Sequence, residues 1–279
     1  MARQLPRMES LLSCRTYPIH YLVIPKCGCT FVKNLIWQLD HGTGYVNPPR
    51  IHERTRDFAR VAQFNLSVDE VRAQPYSFVV LRNPLDRFLS LYFDKVVGDG
   101  YRKFVPLRAI LHDKHGLNIE AKTPAEHTAN CHILIDWIEA NLAGGNSAKN
   151  LATNSAMNVG SKSGGTEIGR DPHWTPQANR METIRVFDMK VLPLSGLDDS
   201  LTRLLQPILP DISEILGKLE RYATNTKEMK NQVLDAAIKD RILQVYRRDA
   251  DNYARLEEVW ARLTPKSSDE IPRASQIFA

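Results

Sequence analysis

The stretch Tyr21 to Leu39, YLVIPKCGCTFVKNLIWQL, constrains the fold more than any other part of the chain. Ile19 to Ile24 is short, apolar and closed by Pro25, the pattern of a buried strand. From Thr30 the apolar positions Phe31, Leu35, Ile36 and Leu39 recur at helical spacing, with Thr30 as the expected cap and His41-Gly42-Thr43-Gly44 as the stop. A strand, a tight loop and a helix in that order aim backbone N–H groups and the positive end of the helix at whatever lies on its axis. Gly28 lets the backbone turn and approach a ligand, Lys26 brings a full charge to the loop's entrance, and the Thr30 hydroxyl can donate to an oxyanion. The loop therefore reads as a phosphate cradle. Its order differs from GxxxxGK[ST], because here the lysine precedes the glycine, which disfavours an ATP- or GTP-dependent enzyme.

The two cysteines flanking Gly28 raise other possibilities. Cys27 and Cys29 lack the Cys-x-x-Cys spacing of thioredoxin-like dithiols. Zinc would need a second Cys/His pair at suitable spacing, and none is present. With Cys14 and Cys131 they make four cysteines, which do not form a disulfide framework. They are expected to be small, half-buried fillers beside the turn. The formal charge of +5 suits an anionic ligand, but no Lys/Arg cluster of the kind nucleic acid requires appears. No window approaches a membrane-spanning run or the core of a signal peptide. The chain thus reads as cytoplasmic, in a bacterium, with removal of an anchor as the alternative.

The rest of the 279 residues alternates strands with helices, which favours an α/β fold with a mainly parallel sheet. A second strand is expected at Tyr76 to Leu81, followed by a helix with Pro84 in its first turn. Thr123-Pro124-Ala125-Glu126 has the capping-box pattern and opens a helix that stops at Gly144-Gly145. Residues 144 to 172 are rich in Gly, Ser and Asn and read as a functional loop, with Lys162 to Gly169 as a lid over a ligand. Beyond it lie His173-Trp174-Thr175-Pro176-Gln177, a strand at Ile184 to Val191, a helix near Asp199 to Leu209, and a long amphipathic helix broken near Asp249. Tyr246, Arg247, Arg248 and Asp249 read as a packing and salt-bridge segment. The whole, residues 1–279, is expected to be one domain, with a ligand-binding core at about 17–100, the irregular loop at about 143–177 and a helical part at about 195–265.

A second motif, RNPLDRFLSLY, begins where the second strand ends. Arg82 and Ser90 could converge on one anion, since a guanidinium fork matches phosphate geometry and a hydroxyl adds a neutral donor. Arg87 with Asp86 or Asp94 could instead form a solvated helix face. In this order PKCGCTFVK and RNPLDRFLSLY resemble the 5′-phosphosulfate loop and the 3′-phosphate motif, R-x-P-x-x-R-x-x-S-x-Y, of sulfotransferases that use 3′-phosphoadenosine 5′-phosphosulfate. Lys33 and HWTPQ make the chain most similar to the carbohydrate sulfotransferases called family 2, and VYRRDADNY extends the resemblance towards the C-terminus.

The resemblance implies a P-loop-like three-layer fold and in-line transfer of a sulfuryl group from that co-substrate to a hydroxyl of a carbohydrate or glycolipid. The product is adenosine 3′,5′-bisphosphate, and no metal is implied. Lys26 takes the position that neutralises the leaving phosphate. The amides of Cys27, Gly28, Cys29, Thr30 and Phe31 would hold the 5′-phosphate with the Thr30 side chain, Lys33 is a further contact, and Arg82 and Ser90 would hold the 3′-phosphate. His52 is expected as the base, with Glu53 as runner-up, because relatives carry a His or Glu on this connection. His173 and Trp174 would line the acceptor cleft, Trp by stacking on a sugar and His by hydrogen bonding, while a buried Trp174 anchoring the loop's exit is the alternative. The same donor with a small alcohol, phenol or protein tyrosine, or a nucleotide-binding module without transfer activity, are the competing functions. The sequence leaves the oligomeric state open.

Overall fold

Four short segments, buried at every position but the half-buried Tyr76, pair into one sheet. The computed structural model describes residues 11–97, 104–143, 171–221, 227–263 and 271–278. The strands are β1 (Leu11–Ser13), β2 (Ile19–Leu22), β3 (Tyr76–Leu81) and β4 (Lys190–Pro193), in that order across the sheet. β1 runs antiparallel to β2, whereas β2, β3 and β4 are parallel.

Residues of β3 alternate between two cores, as the pleat requires. Phe78 and Val80 join Tyr21 and Leu192 under Val32, Leu35 and Ile36 of α1 (Cys29–His41). Val79 and Leu81 join Leu22 and Val191 on the opposite face. Both faces are therefore covered, which suits strands that are mostly apolar, with His20, Ser77 and Lys190 buried among them. The outer edge of β4 is covered too: Val191 N donates to the Pro272 carbonyl at 3.0 Å and Ala274 N to that of Met189 at 2.9 Å.

This sheet belongs to a compact unit made of residues 1–83, 177–223 and 248–279. Its further helices are α2 (Val68–Ala73), α6 (Met181–Val186), α7 (Leu197–Leu205), α8 (Ile212–Lys218), α11 (Arg247–Ala261) and α12 (Ala274–Ile277). A second unit, residues 84–176 and 224–247, is helical among its described residues. It holds α3 (Pro84–Leu91), a π-helical turn at Tyr92–Val96, α4 (Val105–His115), α5 (Pro124–Ala143), α9 (Lys227–Val233) and α10 (Ala236–Val245), packed around Phe88, Leu111, Ile135, Trp174 and Ile238.

Three expectations need correction. The run Ile184 to Val191 is not one strand, because α6 ends at Val186 and Asp188, at φ 42, turns the chain before β4. Short apolar runs suit either helix or strand, and here the turn divides them. The long C-terminal helix is three helices: Asp235 caps α10 by accepting from Ile238 N at 2.8 Å, and Tyr246 separates α10 from α11. Thr30 is not the cap of α1, since Gly28 occupies that position at φ 73. The loop at 144–172, with its lid segment, lies outside the described residues except for its last two.

Candidate active site

The loop between β2 and α1 turns twice through left-handed backbone, at Lys26 (φ 67) and at Gly28 (φ 73). The left-handed backbone favours glycine, and a Cβ on Gly28 would lie 2.7 Å from Leu194 Cδ1 and 3.3 Å from Leu197 Cδ2, so those side-chain ends would have to shift to admit one. The first hydrogen bond of the α1 turn runs from Val32 N to Gly28 O at 3.1 Å. The amides of Cys29, Thr30 and Phe31 therefore have no acceptor within the helix, and the first turn carries no acidic residue. Such a helix start favours an anion.

Arg82 follows the C-terminal end of β3. Its Nη1 donates to the Lys26 carbonyl at 3.0 Å, which brings the two sequence motifs into contact. Cys27 is buried, and its Sγ donates to Gln177 Oε1 at 3.0 Å. The Gln177 amide also pairs with the main chain of Arg82, accepting from Arg82 N at 3.0 Å and donating to Arg82 O at 2.8 Å. Gln177 N and Ala178 N in turn donate to the two oxygens of buried Asp249 at 2.8 and 2.7 Å.

On the α1 side, Lys33 is buried, and its Nζ sits 3.0 Å from His52 Nδ1 and 5.7 Å from the Phe58 ring centroid. An ammonium has donors only, so Nδ1 accepts. The ring proton then resides on Nε2, which donates to Thr30 Oγ1 at 2.8 Å and lies 3.8 Å from Cys29 Sγ. Burial lowers the pKa of Lys33. Burial alone would push the Cys29 thiol up, but His52, through its charge when the ring is protonated and through its hydrogen bond, with Lys33 and Lys26, outweighs it and brings the thiol down to about 6. Phe31 is half-buried with the Arg221 guanidinium 4.8 Å from its ring centroid. Glu53 is exposed and pairs with Arg50, Nε to Oε2 3.3 Å.

In the second unit, Ser90 is buried on α3. Arg87 does not lie on a solvated face. It is buried, and its Nη1 and Nη2 donate to the carbonyls of Thr175 (2.9 Å) and Pro172 (3.0 Å). Trp174 is 1% exposed, edge-on to Trp137 at 5.3 Å between centroids, so its ring anchors this segment and offers no face to a sugar. His173 Nδ1 bonds to Asp171, and its ring lies edge-on to Phe104 at 5.0 Å.

A family model described as the sulfotransferase family matches residues 9–254. The chain belongs to the sulfotransferase family. Comparison with curated proteins and with solved structures returned no match. Among the described residues of this sulfotransferase, no helix is long and apolar enough to cross a membrane. Within its first unit the structure brings together Lys26, Cys27, Gly28 and Arg82, and beside them Cys29, Thr30, Lys33 and His52. Glu53 shares their connection but points to Arg50. Sequence reasoning missed Gln177 and Asp249 as partners of the loop, although both sit in segments, HWTPQ and VYRRDADNY, that carried the family resemblance.

Proposed function

We propose that this sulfotransferase-family protein moves a sulfuryl group from 3′-phosphoadenosine 5′-phosphosulfate to a hydroxyl of a carbohydrate or glycolipid. The observation that carries the reading is the start of α1, with three amides lacking intrahelical acceptors beside Lys26, whose carbonyl is bonded by Arg82. These residues fit the donor: they supply a P-loop-like anion cradle, a cation and a guanidinium fork, and they place no carboxylate on the first turn of the helix.

The bound donor would supply a sulfuryl group whose bond to the 5′-phosphate breaks as the acceptor oxygen bonds to sulfur. The amides of residues 28–31 and the Thr30 hydroxyl hold the 5′-phosphate; the Cys27 amide, expected among them, donates instead to the Ile24 carbonyl at 3.3 Å. Because His52 Nε2–H donates to Thr30, the Thr30 proton is directed away from His52 and towards an incoming oxyanion. Lys26 offsets the charge that develops on the leaving phosphate. Arg82 takes the 3′-phosphate, and the resemblance assigns Ser90 to the same anion.

His52 remains the base. To accept a proton at Nε2 it must first give up the Nε2–H bond to Thr30 and take the other tautomer, with its ring proton on Nδ1 facing the neutral amine of Lys33 in place of the ammonium that donates there. The burial that lowers the Lys33 pKa favours that arrangement. Glu53 is the runner-up. His173, held by Asp171, is assigned to the acceptor, and buried Trp174 to the support of its segment.

Thermal unfolding with increasing adenosine 3′,5′-bisphosphate tests the donor site. A ligand that binds only the folded state raises the melting temperature, and the absence of any rise rejects the reading. A labelled-donor screen across glycans, glycolipids and small alcohols then tests the acceptor class.

A further inference from the structure

We infer that Gln177, held in place by Asp249, is a positioning residue that makes the loop at Lys26 and the arginine at Arg82 bind the donor as a single unit. The inference rests on the donor reading above and extends it to residues that touch no ligand.

The geometry is a chain of short contacts within the first unit. The Asp249 carboxylate accepts from Gln177 N and Ala178 N at 2.8 and 2.7 Å, which fixes the backbone of residue 177. The Gln177 side-chain amide then meets the Arg82 peptide in both directions, at 3.0 and 2.8 Å. Its Oε1 also receives the Cys27 thiol at 3.0 Å. One planar group thus holds the main chain of the arginine motif and a side chain of the lysine loop, and Arg82 Nη1 closes the circuit on Lys26 O at 3.0 Å.

Every donor and acceptor of this circuit is buried or half-buried, so a missing partner is not simply replaced by water. Glutamine is suited to the position because it alone offers an acceptor and a donor in one plane at this reach. Glutamate lacks the donor, and asparagine is one methylene shorter. Loss of the amide should let Arg82 and the loop move independently, so that two anion contacts no longer form together.

The test measures binding of adenosine 3′,5′-bisphosphate to wild type and to Gln177→Met, Gln177→Glu, Asp249→Asn and Arg82→Met, with folding checked by circular dichroism. Gln177→Met is expected to weaken the nucleotide about tenfold or more, with acceptor KM unchanged. In the Arg82→Met background the same change should cost less than about threefold, because the coupled group is already gone. Gln177→Glu should recover towards wild type as pH falls from about 8 to about 5, since a protonated carboxyl regains a donor. A merely structural role predicts no such recovery. Asp249→Asn should shift affinity in the same direction as Gln177→Met and supplies the test if the latter fails to fold. Wild type that binds no nucleotide overturns this inference together with the donor reading. Wild type that binds while folded Gln177 and Asp249 variants stay within about twofold of it, or lose affinity additively with Arg82→Met, overturns the coupling alone.

Discussion

Gly28→Ala is the sharpest perturbation available at the loop. Position 28 sits at φ 73, where a residue with a Cβ costs about 1–2 kcal/mol. The new Cβ would fall 2.7 Å from Leu194 Cδ1, which must leave its rotamer at a further cost of about 0.5–1.5 kcal/mol. The sum, about 1.5–3.5 kcal/mol, corresponds to a fall in melting temperature of about 3–14 °C for a chain of this size. Function should suffer beyond stability. The backbone can relieve the strain by rotating residue 28, and that rotation turns the amides of Cys29 to Phe31 away from the helix axis. Adenosine 3′,5′-bisphosphate affinity is therefore expected to fall at least about tenfold, even at a temperature where the variant is fully folded. Differential scanning calorimetry and isothermal titration on the same preparation separate the two effects. A variant with wild-type melting temperature and wild-type affinity would refute the argument from left-handed backbone.

Three further outcomes are expected. Lys26→Ala should lower kcat by about a hundredfold or more, with a melting temperature within about 3 °C of wild type, as read by sulfate transfer from labelled donor and by calorimetry. Arg87→Met should remove two bonds to the carbonyls of Thr175 and Pro172 and destabilise by about 3 kcal/mol, measured by urea unfolding. Cys29, whose thiol pKa falls from 9.0 to about 6 on folding, should make stability pH-dependent: between these values the unfolded chain binds more protons, so stability rises with pH through the window and is lost as pH falls through 6. Subtracting the profile of Cys29→Ser isolates this contribution, and a flat difference from pH 6 to 9 would contradict it.

What could be read in advance was local. β3 occupies the expected Tyr76–Leu81, because an apolar run between a polar segment and Asn83-Pro84 has no other use. The capping box at Thr123 forms as expected, with Thr123 N and Glu126 Oε2 2.8 Å apart, because its partners are three residues apart. The misreadings involve partners far along the chain. Thr30 looked like a cap because cap residues precede helices, yet its hydroxyl is taken by His52, 22 residues away. Lys33 reads in the sequence as a further phosphate contact, and only the fold reveals that it lies one turn along α1, buried against His52 and Phe58. Gln177 lies 95 residues from Arg82 and Asp249 a further 72 on, separations at which no periodicity or spacing rule operates. Trp174 could equally have been a sugar platform or an anchor, and its edge-on packing with Trp137 marks it as an anchor.

The pairing of residues 272–274 alongside β4 bears on how the chain is made. During synthesis β4 emerges long before its last neighbour exists, so an unprotected apolar margin persists while some eighty residues are added, as the separation of Lys190 and Arg273 dictates. Expression conditions that slow translation of that interval should favour clumping of nascent chains at this margin, and chaperones that shield strand borders should relieve it.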